Sequence, residues 1–184
     1  MRELSLHLLD IAENSVAAGA CNISITVRED LQADRLYLSV QDDGKGMNAE
    51  MVARVTDPFV TSRTTRKVGL GLPLLKEAAE LCGGYLRIQS APGQGTLVEV
   101  EFQHSSIDRM PLGDLPGTCL TLLITSPEIH WTFHYQVDEE TFIFDDAPYK
   151  NELAGLPLSE PEILAFLRET IAGGVAVLQP DQSF

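Results

Sequence analysis

Four short stretches of this chain carry residues whose types and spacing could do chemistry. In Asp42-Asp43-Gly44-Lys45-Gly46-Met47, two glycines within three residues let the backbone turn tightly and lie close to a ligand. Alone, an Asp-x-Gly-x-Gly is an ordinary turn. His7, Asp10 and Asn14 are spaced three and four apart, which stacks an imidazole, a carboxylate and a carboxamide on successive helical turns. Such a line is usually a solvated face, but Asn offers a neutral oxygen to a hard cation, and a carboxylate one turn away can orient or deprotonate water or a hydroxyl. The polar run Asp57-Pro58-Phe59-Val60-Thr61-Ser62-Arg63-Thr64-Thr65-Arg66-Lys67 leads into Gly69-Leu70-Gly71-Leu72. A glycine-rich entry to a helix presents free N–H groups and the positive end of the macrodipole, which suits phosphate. Arg63, Arg66 and Lys67 place three of the thirteen basic residues within five positions there. The fourth stretch, Gly93-Gln94-Gly95-Thr96, is by itself a plain hairpin turn.

The elements around these stretches would position them. Leu4, Leu8, Ile11, Ser15 and Ala18 recur at helical spacing, so a helix over 4–20 is expected, closing near Gly19. The alternation Leu36-Tyr37-Leu38-Ser39-Val40 reads as a half-buried strand that aims Asp42 from its end into a cleft. A helix from the Gly69–Leu72 run to about Cys82 and strands over 85–89 and 96–102 complete the set. That order suggests a nucleotide pocket.

With these residues in sequence, the segment from about Glu3 to Phe102 resembles the GHKL, or Bergerat-fold, ATPase domain shared by gyrases, heat-shock chaperones, mismatch-repair ATPases and histidine kinases. All four of its boxes are present in order. Leu9-Asp10-Ile11-Ala12-Glu13-Asn14-Ser15 with Ala18-Gly19-Ala20 is similar to the mismatch-repair version, whereas Asp57-Pro58-Phe59 and Gly69-Leu70-Gly71-Leu72 are similar to the histidine-kinase version. The resemblance implies ATP and Mg as cofactors, with Asn14 as ligand of a phosphate-bridging magnesium ion and Asp42 as acceptor for the adenine amino group. It implies that Thr96 supports the adenine, that Gly44, Gly46 and Met47 shape the base pocket, and that Gly69, Leu70 and Gly71 belong to a lid over the phosphates. Thr61, Arg63, Arg66 and Lys67 precede them in that lid, which is expected to be mobile without nucleotide and ordered with it. Two departures matter. The family often has Glu four residues before the Asn, where this chain has the shorter Asp10 as its catalytic candidate, so hydrolysis is expected to be slow. Histidine kinases tend to carry a basic residue where this chain has Ala17, leaving Arg63, Arg66 or Lys67 to compensate.

The expected fold class is an α/β (α+β) two-layer sandwich, a Bergerat-type mixed sheet with helices on one face, plus a small C-terminal α+β appendage. The division falls at 1–103 for the ATP-binding domain and 104–184 for an acidic module that could dock a partner. From His104 onward there are thirteen acidic and three basic residues, against fourteen and ten before it. Such a surface disfavours nucleic acid and anionic membranes. No apolar run approaches the roughly 20 residues that span a bilayer, and the Met1-Arg2-Glu3 start lacks the apolar stretch of a signal peptide, so a cytoplasmic protein is expected. Cys21, Cys82 and Cys119 lack Cys-x-x-Cys spacing and read as buried free thiols. There is neither a Walker-type loop nor an Asp-Phe-Gly set, and no Gly-x-Gly-x-x-Gly follows a strand.

In the C-terminal part, Leu115, Cys119, Leu122 and Leu123 fit a short helix, although Leu120–Ile124 could equally be a buried strand. Residues 131–135 and 141–144 read as a hairpin across Asp138-Glu139-Glu140. Ser159 and Glu162 suggest a capping box, ahead of a helix buried through Ile163, Phe166, Leu167 and Ile171. His130 and His134 lack a third ligand and read as strand packing rather than a metal site.

His7 is followed by Leu8-Leu9 and lacks the context of a phosphoacceptor, so a supporting or packing role is expected for it. A phosphate acceptor is therefore expected on another protein, an arrangement that resembles the stand-alone anti-sigma-factor serine kinases. Two functions stay open: a protein kinase or ATPase acting in trans on a regulatory protein, or a switch in which bound ATP remodels a binding surface and hydrolysis is only a timer. A homodimer is left open as well.

Overall fold

The computed structural model describes residues 3–56, 71–153 and 155–179. Its elements are α1 (Leu4–Ala17), β1 (Asn22–Asp30), β2 (Arg35–Asp42), α2 (Ala49–Val55), α3 (Gly71–Leu81), β3 (Tyr85–Ser90), β4 (Thr96–Gln103), α4 (Leu115–Thr125), β5 (His130–Val137), β6 (Glu140–Asp145), α5 (Ala147–Glu152) and α6 (Pro161–Leu178). The strands form one mixed sheet in the order β3-β4-β2-β1-β5-β6, all neighbours antiparallel except β1 and β5.

Strand periodicity decides which face is buried. Register aligns Val98, Val40, Ile25, Phe133 and Phe144 in one row across five strands, and Val100, Leu38, Val27 and Tyr135 in the next. All nine are buried, and α1, α3 and α6 pack on the sheet, with α4 against α1 and α6. The alternate residues Ser24, Thr26, Arg28, Tyr37, Gln41, Glu99 and Glu101 make the opposite face polar and more exposed. The two-layer α+β arrangement expected from the sequence is therefore present.

The expected boundary at 103/104 does not separate two sheets. β5 joins β1 in parallel over eight residue pairs, so the segment after His104 supplies the last two strands and two helices of the covered face. A buried polar cluster fastens this junction. Glu29 of β1 accepts from the Tyr135 hydroxyl of β5 at 2.5 Å and lies 2.6 Å from His104 Nε2. Burial and the adjacent carboxylate push the Tyr135 phenol well above its ordinary value.

Several local expectations need correction. α1 stops at Ala17, short of the expected span to 20, while Gly19, at φ +76° just beyond the Ala18 C-cap, closes it as expected. The capping box fails because α6 starts later: Glu160 is the N-cap, without a side-chain cap bond. The ridge of α6 that enters the core is Leu167, Ile171 and Val175, while Phe166 is 56% exposed. Residues 120–124 are helical within α4. Cys82 and Cys119 are buried, the latter with its thiol pushed up to about 12 by burial, but Cys21 is exposed.

Candidate functional site

One end of the covered face gathers most of the described candidates. α1 passes over β2 so that Ser15, in its last turn, donates from Oγ to Asp42 Oδ2 at 2.6 Å. The other carboxylate oxygen of Asp42 accepts from the Gly44 and Thr96 backbone N–H groups, at 2.9 and 3.2 Å. Asp42 is 9% exposed. A carboxylate can accept about four hydrogen bonds. Three donors are engaged, which leaves capacity for one more.

Thr96 pairs with Asp42 at the β2–β4 end, and its hydroxyl lies 2.9 Å from Ser90 Oγ. Ser90 also accepts from the Met47 N–H and donates to the Gly95 carbonyl, both at 2.8 Å, so one hydroxyl joins three backbone segments around Asp42. Gly46 and Gly95 hold positive φ here, and a Cβ on either would lie 1.9 Å from a backbone oxygen, of Ala91 and Asp42 respectively. Only glycine permits this approach. Gly44 is tight as well, against Ala18 and the Asp42 carboxylate.

Asn14 precedes Ser15 and is exposed, while Asp10 stands one turn earlier and is half-buried. Both are therefore on the helix that Ser15 locks to the cradle. Gly71 opens α3 and is buried. Thr61, Arg63, Arg66, Lys67, Gly69 and Leu70 lie outside the described residues, as does the run Asp57-Pro58-Phe59.

Three residues of this arrangement were not singled out as site residues: Ser15, Ser90 and Asp43. Ser15 belongs to the buried stripe of α1, where a hydroxyl among aliphatics is the signal of a partner across the interface. Asp43 accepts from Cys21 N, Asn22 N and Asn22 Nδ2, which fixes the start of β1 to the loop after β2 and holds its carboxyl below the usual range.

His7 does not share a solvated face with Asp10 and Asn14. It is 3% exposed, its Nδ1 has no hydrogen-bond partner among the described residues, and it abuts Leu8, Ile11, Leu38 and Val98. Burial lowers its pKa from the ordinary 6.5, with the Asp10 charge opposing. Because the folded-state value is depressed, the unfolded chain takes up this proton first. His7 therefore draws stability down as pH falls through about 6.5 towards the folded value, and not above it. His7→Leu is expected to shrink the loss in urea midpoint between about pH 7 and pH 5. An unchanged loss would show that His7 does not cause it.

Among the described residues no helix is long and apolar enough to cross a membrane. The profile of the histidine kinase-, DNA gyrase B- and HSP90-like ATPase family matches residues 1–106. The non-motile and phage-resistance protein of Caulobacter vibrioides is 36% identical over 106 residues, covering 53% of this chain and 13% of that protein. The alginate biosynthesis sensor protein KinB of Pseudomonas aeruginosa is 34% identical over 87 residues, 47% of this chain and 15% of its own length. The chain thus spans only a small part of these relatives. In fold, it is similar to the N-terminal domain of a DNA repair protein, with a TM-score of 0.56 at 14% identity, over 95% of this chain and 58% of that one. It is also similar to the Aquifex aeolicus MutL ATPase domain complexed with ADP, with a TM-score of 0.51 at 14% identity, over 94% and 70%. The profile match over more than half the chain, on a sheet-and-helix arrangement with this cradle, establishes that the chain belongs to the histidine kinase-, gyrase B- and HSP90-like ATPase family.

Proposed function

We propose that this chain binds ATP with magnesium at the α1–β2–β4 cradle and acts in the cytoplasm, as a protein kinase or ATPase, on a regulatory protein partner. The observation that carries the reading is the anchored Asp42. Its carboxylate is buried, oriented by Ser15, Gly44 and Thr96, and retains one acceptor position, which suits the exocyclic amine of adenine. Gly44 and Gly46 let the loop pack closely against Ala18 and Ala91 beside it, and partly buried Met47 adds an apolar wall.

Asn14 would offer a carboxamide oxygen to magnesium, and Asp10, a turn away on α1, would orient the attacking water or the acceptor hydroxyl. A bound magnesium ion would supply charge neutralisation at the phosphates. Arg63, Arg66 and Lys67 supply positive charge for the same phosphates, in the run that leads in sequence through Gly69 and Leu70 to Gly71, which opens α3. Phosphoryl transfer needs positioning and charge neutralisation more than covalent participation by the protein. Similarity to the sensor histidine kinase YxdK of Bacillus subtilis, 37% identical over 73 residues, supports the kinase reading.

Calorimetry of the full chain tests the site. ATP affinity is expected to rise with magnesium, and Asn14→Ala is expected to abolish that increment while circular dichroism stays unchanged. Equal affinity with and without magnesium would overturn the assignment. Incubation with labelled ATP and candidate partner proteins separates the activities: label on a partner supports the kinase, free phosphate the ATPase, and a stable nucleotide-dependent complex without either points to a switch.

A further inference from the structure

The β5–β6 hairpin closes on a second group of polar side chains, at the same end of the sheet as Asp42, in which His130 and Asp145 are half-buried and Asp146 is buried. β5 begins at His130 and β6 ends at Asp145, so antiparallel pairing brings the two together. His130 Nε2 lies 3.0 Å from Asp145 Oδ1 and 3.9 Å from Asp146 Oδ1, and all three atoms fall within 4.8 Å of one another. Ligand atoms each about 2.1 Å from a tetrahedral ion sit roughly 3.4 Å apart. The cluster is close to that spacing.

Asp146 supplies the independent sign of a ligand. It is 2% exposed, yet Oδ1 has no hydrogen-bond partner among the described residues. Its Oδ2 is paired with the Lys150 ammonium at 2.6 Å, so Oδ1 is the oxygen directed at His130. The imidazole is preset too. Asn22 Nδ2 donates to Asp43, which fixes the amide and turns its oxygen to His130 Nδ1 at 3.0 Å. Nδ1 then carries a hydrogen, and Nε2 faces the two carboxylates. Either a second proton on the ring or a metal ion satisfies that contact, and the unpartnered, buried Asp146 Oδ1 favours the ion.

We propose that His130, Asp145 and Asp146 bind a divalent transition-metal ion. One imidazole nitrogen and two carboxylate oxygens make a donor set for zinc, cobalt or manganese, with water completing the shell, and the nitrogen discriminates against magnesium. An outer amide that orients the ligating imidazole is the usual support for such an ion. Lys150 offsets one of the two carboxylate charges, leaving the site singly negative before the ion enters. Through Asn22 and Asp43 the ion braces the hairpin against the loop that follows Asp42.

The test uses the full chain, treated with chelator and free of nucleotide, titrated with cobalt(II) and read by visible absorption and equilibrium dialysis. One ion per chain is expected, with bands of a nitrogen–oxygen ligand field that zinc bleaches by displacement. His130→Gln and Asp145→Asn are each expected to weaken binding tenfold or more, whereas His134→Gln, on the same face of β5, leaves it intact. The His130 side chain is 40% exposed, so its replacement spares the core, which circular dichroism verifies. Absence of saturable binding would mean that Lys150 and a proton on His130 satisfy the cluster, and retained binding in His130→Gln would place the ion elsewhere. Either result overturns the proposal.

Discussion

Asp42→Asn is expected to weaken ATP binding at least tenfold while leaving the chain folded. The amide keeps an oxygen for the Gly44 and Thr96 N–H groups, and its nitrogen can donate to Ser15 Oγ, so the local network survives. What changes is the position left for the base. An acceptor becomes a donor, and it meets the adenine amine donor to donor. Hydrogen bonds to charged groups contribute about 1.5–3 kcal/mol, which corresponds to roughly ten- to hundredfold in affinity. The wild type should also reject GTP, whose ring carries a carbonyl where adenine has the amine, and Asp42→Asn should narrow that preference. Calorimetry with both nucleotides measures each effect. Unchanged ATP affinity in the variant would remove Asp42 from base recognition.

Gly95→Ala is expected to destabilise the protein by about 2 kcal/mol or more, since a left-handed backbone alone costs a side-chain-bearing residue roughly 1–2 kcal/mol. Here the added methyl also meets Asp42 backbone atoms at 1.9 and 2.8 Å, which cannot rotate away. Strands β2 and β4 must part at their paired ends, and the Thr96 N–H leaves Asp42. Gly93→Ala separates the two contributions: its φ is +75°, but no atom lies within 4 Å of the added carbon. Thermal melts should place Gly95→Ala well below Gly93→Ala, and nucleotide affinity should fall only in the former. Equal melting temperatures would mean that the close approach is not rigid.

Local period and turn chemistry made much of the arrangement legible. The stripe Leu4, Leu8 and Ile11 predicts α1, and the glycines around Asp42 and Thr96 predict two close turns, because both signals are short-range. Pairing at a distance is not short-range. β1 shows the same alternation in Ile23, Ile25 and Val27 as β2 does, yet nothing in those residues says that β5, about a hundred positions later, lies beside it. The acidic composition after His104 suggested a separate module, whereas Trp131, Phe133 and Tyr135 complete the same core. Net charge describes a surface and not a fold. Likewise Asp145 and Asp146 could not be joined to His130 until the hairpin register was known, and the exposed Phe166 shows that one apolar residue beside a ridge need not enter it.

The order of strands in space has a consequence for how the chain is made. β1 lies between β2 and β5, but synthesis delivers β2 at once and β5 only after about another hundred residues, several seconds later at the roughly 5–20 residues per second of translation. Until then the nascent chain holds β1 with one row of unpaired N–H and C=O groups, flanked by Ile23, Ile25 and Val27. That row is a template for any strand that arrives first, whether from β5 of the same chain or from a neighbouring polysome product. The segment that matches the ATPase family therefore waits, with β1 as an open edge, for residues 130–137 to leave the ribosome and cover it.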